Sequence, residues 1–175
     1  LSDDKSSCTC CDCKDGSHHL CPAGKHRNLP TGACDSCGIG RYAAAENDKG
    51  ACDACAVGTF TNVQDTVECE SCPEGKFQPA RESKDCDMCQ PGSYTQYKEG
   101  TACLSCAKGT YQSHENQSGC MLCSAGTFAA AAGATKCDVC GAEMWQPTAG
   151  KTECRPVDEC SAVQYETTMH TTTSD

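Results

Sequence analysis

Seven C-x-x-C pairs dominate the side chains that could do chemistry here: Cys34/Cys37, Cys52/Cys55, Cys69/Cys72, Cys86/Cys89, Cys103/Cys106, Cys120/Cys123 and Cys137/Cys140. Thiols at that spacing can ligate zinc two at a time, cycle as a redox dithiol or be oxidised as structural disulfides. A zinc ribbon uses two pairs per metal, so its pattern alternates from pair to pair. Here all pairs look alike, and seven do not divide by two. A thioredoxin-like role needs a βαβ setting, which is absent. The pairs read as structural disulfides, with no metal and no catalytic residue expected.

The elements that position these cysteines recur with them. Successive first cysteines are 18 residues apart once and 17 thereafter, and Cys154 lies another 17 on. Three residues after the second cysteine stands a glycine: Gly40, Gly58, Gly75, Gly92, Gly109 and Gly126, with Glu143 breaking the column. Two further on stands an aromatic: Tyr42, Phe60, Phe77, Tyr94, Tyr111, Phe128 and Trp145. "CPAGKH" before the first pair keeps the phase, with Gly24 and with His26 in the aromatic slot. Glycine at a fixed place marks positive φ or a close backbone approach. A short extended segment such as "GTF" or "GTY" follows, and then a polar stretch. The reading is one small β-hairpin per unit, without significant helix, the aromatic covering its own unit's disulfide.

Composition agrees. Leu, Ile, Val and Phe make up under a tenth of 175 residues, too little for an ordinary core, whereas 21 are cysteine. That density marks a disulfide scaffold from an oxidising compartment. The expected fold is therefore small and disulfide-rich: an elongated, solenoid-like ladder of about eight 17-residue hairpin repeats with a minimal hydrophobic core, each unit touching mainly its neighbours. Three segments follow: an irregular cysteine-rich head over 1–20, the array over 21–154, and an incomplete further repeat with a Ser/Thr-rich tail over 155–175.

Translation narrows the pairing. Equivalent units use equivalent bonds, and each cysteine bonds once. The bond lies either inside each C-x-x-C, in a tight and reactive ring, or from the second cysteine of one pair to the first of the next. The second option closes each hairpin at its base and is the one expected: Cys21–Cys34, Cys37–Cys52, Cys55–Cys69, Cys72–Cys86, Cys89–Cys103, Cys106–Cys120, Cys123–Cys137 and Cys140–Cys154. Each such ring of about 15 residues stabilises by roughly 3 kcal/mol in the chain-entropy model. A covalent bond thus stands in for much of a core.

Five cysteines remain unassigned or interchain. Cys8, Cys10, Cys11 and Cys13 sit in "CTCCDCKDGSHHLC" beside His18 and His19. They are read as irregular local or interchain disulfides, with a soft-metal cluster as the alternative. Cys160, five residues before Tyr165, is read as the second cysteine of a ninth unit whose partner falls near or just beyond Asp175. On that reading the chain is a segment of a longer protein.

From Cys21 to Cys154, about three quarters of the chain, the phrase cysteine, two residues, glycine, one residue, aromatic, and then cysteine-x-x-cysteine resembles ephrin-receptor-like cysteine-rich repeats. It is also similar to the simplest modules of the tumour-necrosis-factor-receptor group. The resemblance implies a ladder of disulfide-closed hairpins in a secreted or cell-surface protein, of the kind found in large surface proteins of animals, protists and algae.

The expected function is extracellular and structural: a rigid stapled rod that spaces, tethers or assembles into an appendage, fibril or matrix. The alternative is a ligand-binding ectodomain of a receptor or adhesin. The expected partners are copies of the chain or other extracellular proteins, and glycans. Asn116-Gln117-Ser118 is an N-glycosylation sequon. The net charge of −10, with Lys and Arg scattered singly, excludes a nucleic-acid surface. No apolar run is long enough to span a membrane. No cofactor is expected, loosely bound calcium being the alternative. No Ser/His/Asp set or phosphate-binding glycine loop points to an enzyme.

Overall fold

The computed structural model describes residues 20–47 and 49–157. They form sixteen very short strands and no α-helix. The strands pair in sequence order as eight antiparallel two-stranded hairpins. The first is β1 (Lys25–Arg27) with β2 (Cys34–Ser36). The others pair two residues with two: β3 (Arg41–Tyr42) with β4 (Asp53–Ala54), β5 (Thr59–Phe60) with β6 (Glu70–Ser71), and β7 (Lys76–Phe77) with β8 (Asp87–Met88). The series continues with β9 (Ser93–Tyr94) and β10 (Leu104–Ser105), then β11 (Thr110–Tyr111) and β12 (Met121–Leu122). It closes with β13 (Thr127–Phe128) and β14 (Asp138–Val139), and β15 (Met144–Trp145) and β16 (Arg155–Pro156). In the first seven hairpins the residue in the aromatic slot faces the first residue inside the next C-x-x-C, as Phe60 faces Glu70 and Tyr111 faces Met121, and in the eighth Trp145 faces Arg155, directly after Cys154.

The chain divides into two compact bodies. One holds residues up to Met88 together with Tyr97–Ala102 and carries β1 to β8. The other holds Cys89–Gln96 and the residues from Cys103 onward and carries β9 to β16.

A two-residue strand makes too few bonds to stand alone. Each hairpin is therefore held by its staple and by its successors. The buried apolar residues among those described are cysteines and two alanines, Ala43 and Ala129, with no buried Leu, Ile, Val or Phe. Cys21, Cys37, Cys55, Cys72, Cys89, Cys106 and Cys123 are completely enclosed. The core is a file of sulfur atoms, and the seven residues in the aromatic column are only half-buried.

Within each body, backbone bonds run from every unit to the next. Gly24, Gly40 and Gly58 donate to the carbonyls of Ala43, Thr61 and Gln78 at 2.8–2.9 Å. Gly92, Gly109 and Gly126 donate to those of Gln112, Ala129 and Gln146 at 2.7–2.9 Å. Return bonds come from the following turn: Glu82 N–H donates to the Cys55 carbonyl, and Gly133 N–H to that of Cys106. These bonds satisfy the polar backbone that so short a hairpin would otherwise leave unpaired.

Candidate functional site

The cysteines of the array are paired throughout each of the two bodies. Disulfides join Cys21–Cys34, Cys37–Cys52, Cys55–Cys69, Cys72–Cys86, Cys89–Cys103, Cys106–Cys120, Cys123–Cys137 and Cys140–Cys154. Their Cα–Cα separations are 5.5–5.8 Å, inside the range a relaxed disulfide spans. Just inside each ring lies the glycine, with its carbonyl accepting from the second cysteine of the next pair. Gly58 accepts from Cys72 at 2.9 Å and Gly92 from Cys106 at 2.8 Å.

A second left-handed position follows seven residues after the glycine, and the sequence reading missed it. Asp65, Glu82, Glu99 and Asn116 have φ of 58–62° there, and Gly133 and Gly150 have 76° and 75°. Each turn reaches back past its neighbour to the unit before that. A Cβ on Gly58 would stand 2.8 Å from the carbonyl carbon of Glu99, 41 residues on, and one on Gly92 would stand 2.9 Å from that of Gly133. Real Cβ atoms do not come so close to backbone, so the glycine column exists for this approach as much as for its dihedral. The coupling is thus not confined to neighbouring units, as the sequence reading had it.

Side chains match this second-neighbour contact. The Arg41 guanidinium holds the Glu82 carboxylate with both donors, Nη2 to Oε2 at 2.6 Å. Lys25 lies 3.7 Å from Asp65. Ser71 Oγ donates to Glu99 Oε1 at 2.7 Å. In the second body, where Leu122 occupies the place equivalent to Ser71, the turn residue is Gly150 and the leucine packs onto it. The hydrogen bond and charge of Arg41 hold the Glu82 carboxyl below the usual carboxylate range, against slight desolvation. The same bond raises the Arg41 guanidinium.

One residue past the aromatic is buried in every full unit: Ala43, Thr61, Gln78, Thr95, Gln112, Ala129 and Gln146. The glutamines recur every 34 residues. The units therefore alternate, and are not all alike as the cysteines imply. Each glutamine ties its own loop. Gln112 Nε2 donates to the Gly119 carbonyl at 2.8 Å while Oε1 accepts from His114 N–H at 3.2 Å. Gln78 and Gln146 make the same two bonds, to Asp85 and Ala80 and to Glu153 and Thr148.

His26, in the aromatic slot of the first hairpin, lies against the next unit's disulfide: Nδ1 is 3.4 Å from Cys52 Sγ. His26, Cys37 and Cys52 place three potential ligand atoms within 4.8 Å of one another. Both sulfurs are bound to each other, and a metal needs thiolates.

Asn116 is exposed on the left-handed turn of its unit, its N–H donating to the Cys89 carbonyl at 2.8 Å. After Cys154 the hairpin register continues through Val157, whose N–H donates to the Glu143 carbonyl at 2.8 Å, as Cys140 N–H does to Gly126. Val157 thus holds the backbone place of a second cysteine, three residues before Cys160. Cys160, the head cysteines Cys8, Cys10, Cys11 and Cys13, and His18 and His19 lie outside the described residues. Among the described residues, no helix is long and apolar enough to cross a membrane.

Residues 58–102 and 92–136 match the family described as tyrosine-protein kinase ephrin type A/B receptor-like. No curated protein matches the chain. The repeats over residues 58–136 are similar to this family, and the likeness, together with the disulfides, points to the cell surface or the extracellular space.

Proposed function

We propose that this array of ephrin-receptor-like repeats is an extracellular structural spacer, a stapled rod that tethers or assembles at a surface, with copies of itself or other extracellular proteins as partners. The observation that carries this reading is the reach of each turn across two units, as from Glu99 back to Gly58. Backbone bonds and glycine positions are spent on joining each unit to those that follow it. An array so joined gains length with each unit and keeps its stiffness. Small-angle scattering of the intact chain and of a version lengthened by one 34-residue pair tests it. The expected result is an extended particle whose greatest dimension grows in step with the insertion. A compact particle that only thickens overturns it.

A ligand-binding ectodomain is the second reading, and one observation favours it. In the second body Leu104, Met121, Leu122 and Val139 are all exposed apolar side chains on the C-x-x-C strands. Leu104 and Met121 take first positions that in the first body are the acidic Asp35, Asp53, Glu70 and Asp87, and Leu122 and Val139 take second positions that there are Ser36, Ala54, Ser71 and the exposed Met88. Exposed apolar side chains that form a patch mark interaction surfaces. On either reading Asn116 carries an N-glycan. Glycosidase treatment of protein secreted from eukaryotic cells is expected to lower its mass, with no change for Asn116→Gln.

A further inference from the structure

The disulfide topology decides which peptide bonds hold the molecule together. Between Cys21 and Cys154 every hairpin loop lies inside a ring closed by its own disulfide. A cut inside a ring opens the loop, but the two new ends stay joined through sulfur. Only the seven two-residue links inside C-x-x-C, from Asp35-Ser36 to Asp138-Val139, have no such bypass.

Those links hold no basic residue. All eleven Lys and Arg between Cys21 and Cys154 fall inside rings: Lys25 and Arg27 in the first, Arg41 and Lys49 in the second, and the others from Lys76 to Lys151 likewise. The next basic residue, Arg155, is followed by Pro156, a bond that trypsin-like enzymes cleave poorly.

We infer that the array is a nick-tolerant, length-limited tether, whose load passes through the disulfides and the C-x-x-C links and bypasses every loop. Proteases that cut after basic residues can open its hairpins without severing it. The same path limits its stretch. Disulfides of 5.5–5.8 Å between Cα atoms alternate with links of three Cα steps, so the oxidised array pulls taut at about 120 Å, against about 470 Å for the same residues reduced. This depends on the disulfide pairing alone and holds for a spacer and for a receptor stalk alike.

The test is digestion of the intact chain with trypsin in urea, without reductant, followed by mass measurement. The expected product is one covalent particle that keeps all sixteen array cysteines, gains one water per cut and loses only the head up to Lys14 and the cysteine-free segments between two cuts in one ring, 26–27, 42–49, 77–81 and 82–84. Reductant then releases the separate peptides, which shows that the cuts were made. Ser105→Lys places a basic residue in a link, and the same digest is expected to part that variant into two particles at Cys106. Wild-type protein whose array cysteines part into separate particles before reduction, as bonds inside C-x-x-C would produce, overturns the inference. So does a Ser105→Lys chain that stays whole although cleaved at the new site.

Discussion

The backbone of Glu99 occupies the space that a side chain on Gly58 would need: its carbonyl carbon is 2.8 Å from the position of a Cβ on that glycine. Gly58 also has φ of 77°. Gly58→Ala is therefore expected to combine left-handed strain with overpacking, at about 2–4 kcal/mol. Gly126 has φ of 79° and, among the described residues, nothing within 4 Å of its added Cβ, so Gly126→Ala is expected to carry the left-handed strain, about 1–2 kcal/mol. Thermal unfolding of the two variants checks the order. Equal losses would mean that the second-neighbour approach adds nothing.

Glu143 is the exception in the glycine column and keeps the column's left-handed φ, at 63°. Glu143→Gly is expected to stabilise the last hairpin by about 1 kcal/mol, by removing the left-handed penalty. Slower amide exchange at Val157, whose N–H donates to the Glu143 carbonyl, is the readout. Faster exchange there would refute this account.

Period, staples and hairpins were legible in the sequence because each needs a particular residue type at a fixed place. Cysteine closes a ring, and glycine at Gly58 or Gly92 permits a conformation and an approach that other residues resist. The turn column left no such mark. Glu82 and Glu99 adopt left-handed φ without being glycine or asparagine, and their identity answers to Arg41 and Ser71, 41 and 28 residues away. Nothing in a 17-residue phrase reveals a contact at that distance. Gly133 and Gly150, falling on the same place, were its available sign. The glutamine alternation was readable, since Gln78, Gln112 and Gln146 stand 34 apart, but the cysteine period conceals it.

The Arg41–Glu82 pair predicts a pH dependence with a definite sign. The folded Glu82 carboxyl lies below its unfolded value, so its contribution is complete above the unfolded value of about 4.3 and is lost as pH falls through the folded one. The raised Arg41 value acts only in strong alkali. Arg41→Ala is expected to lower the melting temperature at neutral pH, and the gap from wild type is expected to close as the solution is acidified below that range. Both groups are largely solvent-exposed, so added salt is expected to narrow the gap too. A gap independent of pH and salt would assign the effect to the packing of the arginine stem.

Gln112 tests whether the buried polar column holds the loops. Its amide makes two bonds within its own ring, one accepted from His114 N–H and one donated to the Gly119 carbonyl. Gln112→Ala leaves both groups to the solvent and is expected to cost about 1–3 kcal/mol. Threonine occupies the same place in two of the alternate units, as Thr61 and Thr95, with Ala129 in the third, and Thr61 Oγ1 accepts from Val63 N–H at 3.3 Å, the first of those two bonds. A hydroxyl is too short to reach the carbonyl seven residues on. Gln112→Thr is therefore expected to fall between wild type and alanine, with His114 amide exchange protected in the threonine variant and fast in the alanine one. If threonine gave no more protection than alanine, the place of Thr61 and Thr95 in the glutamine column would lack the hydrogen-bonding basis argued for it.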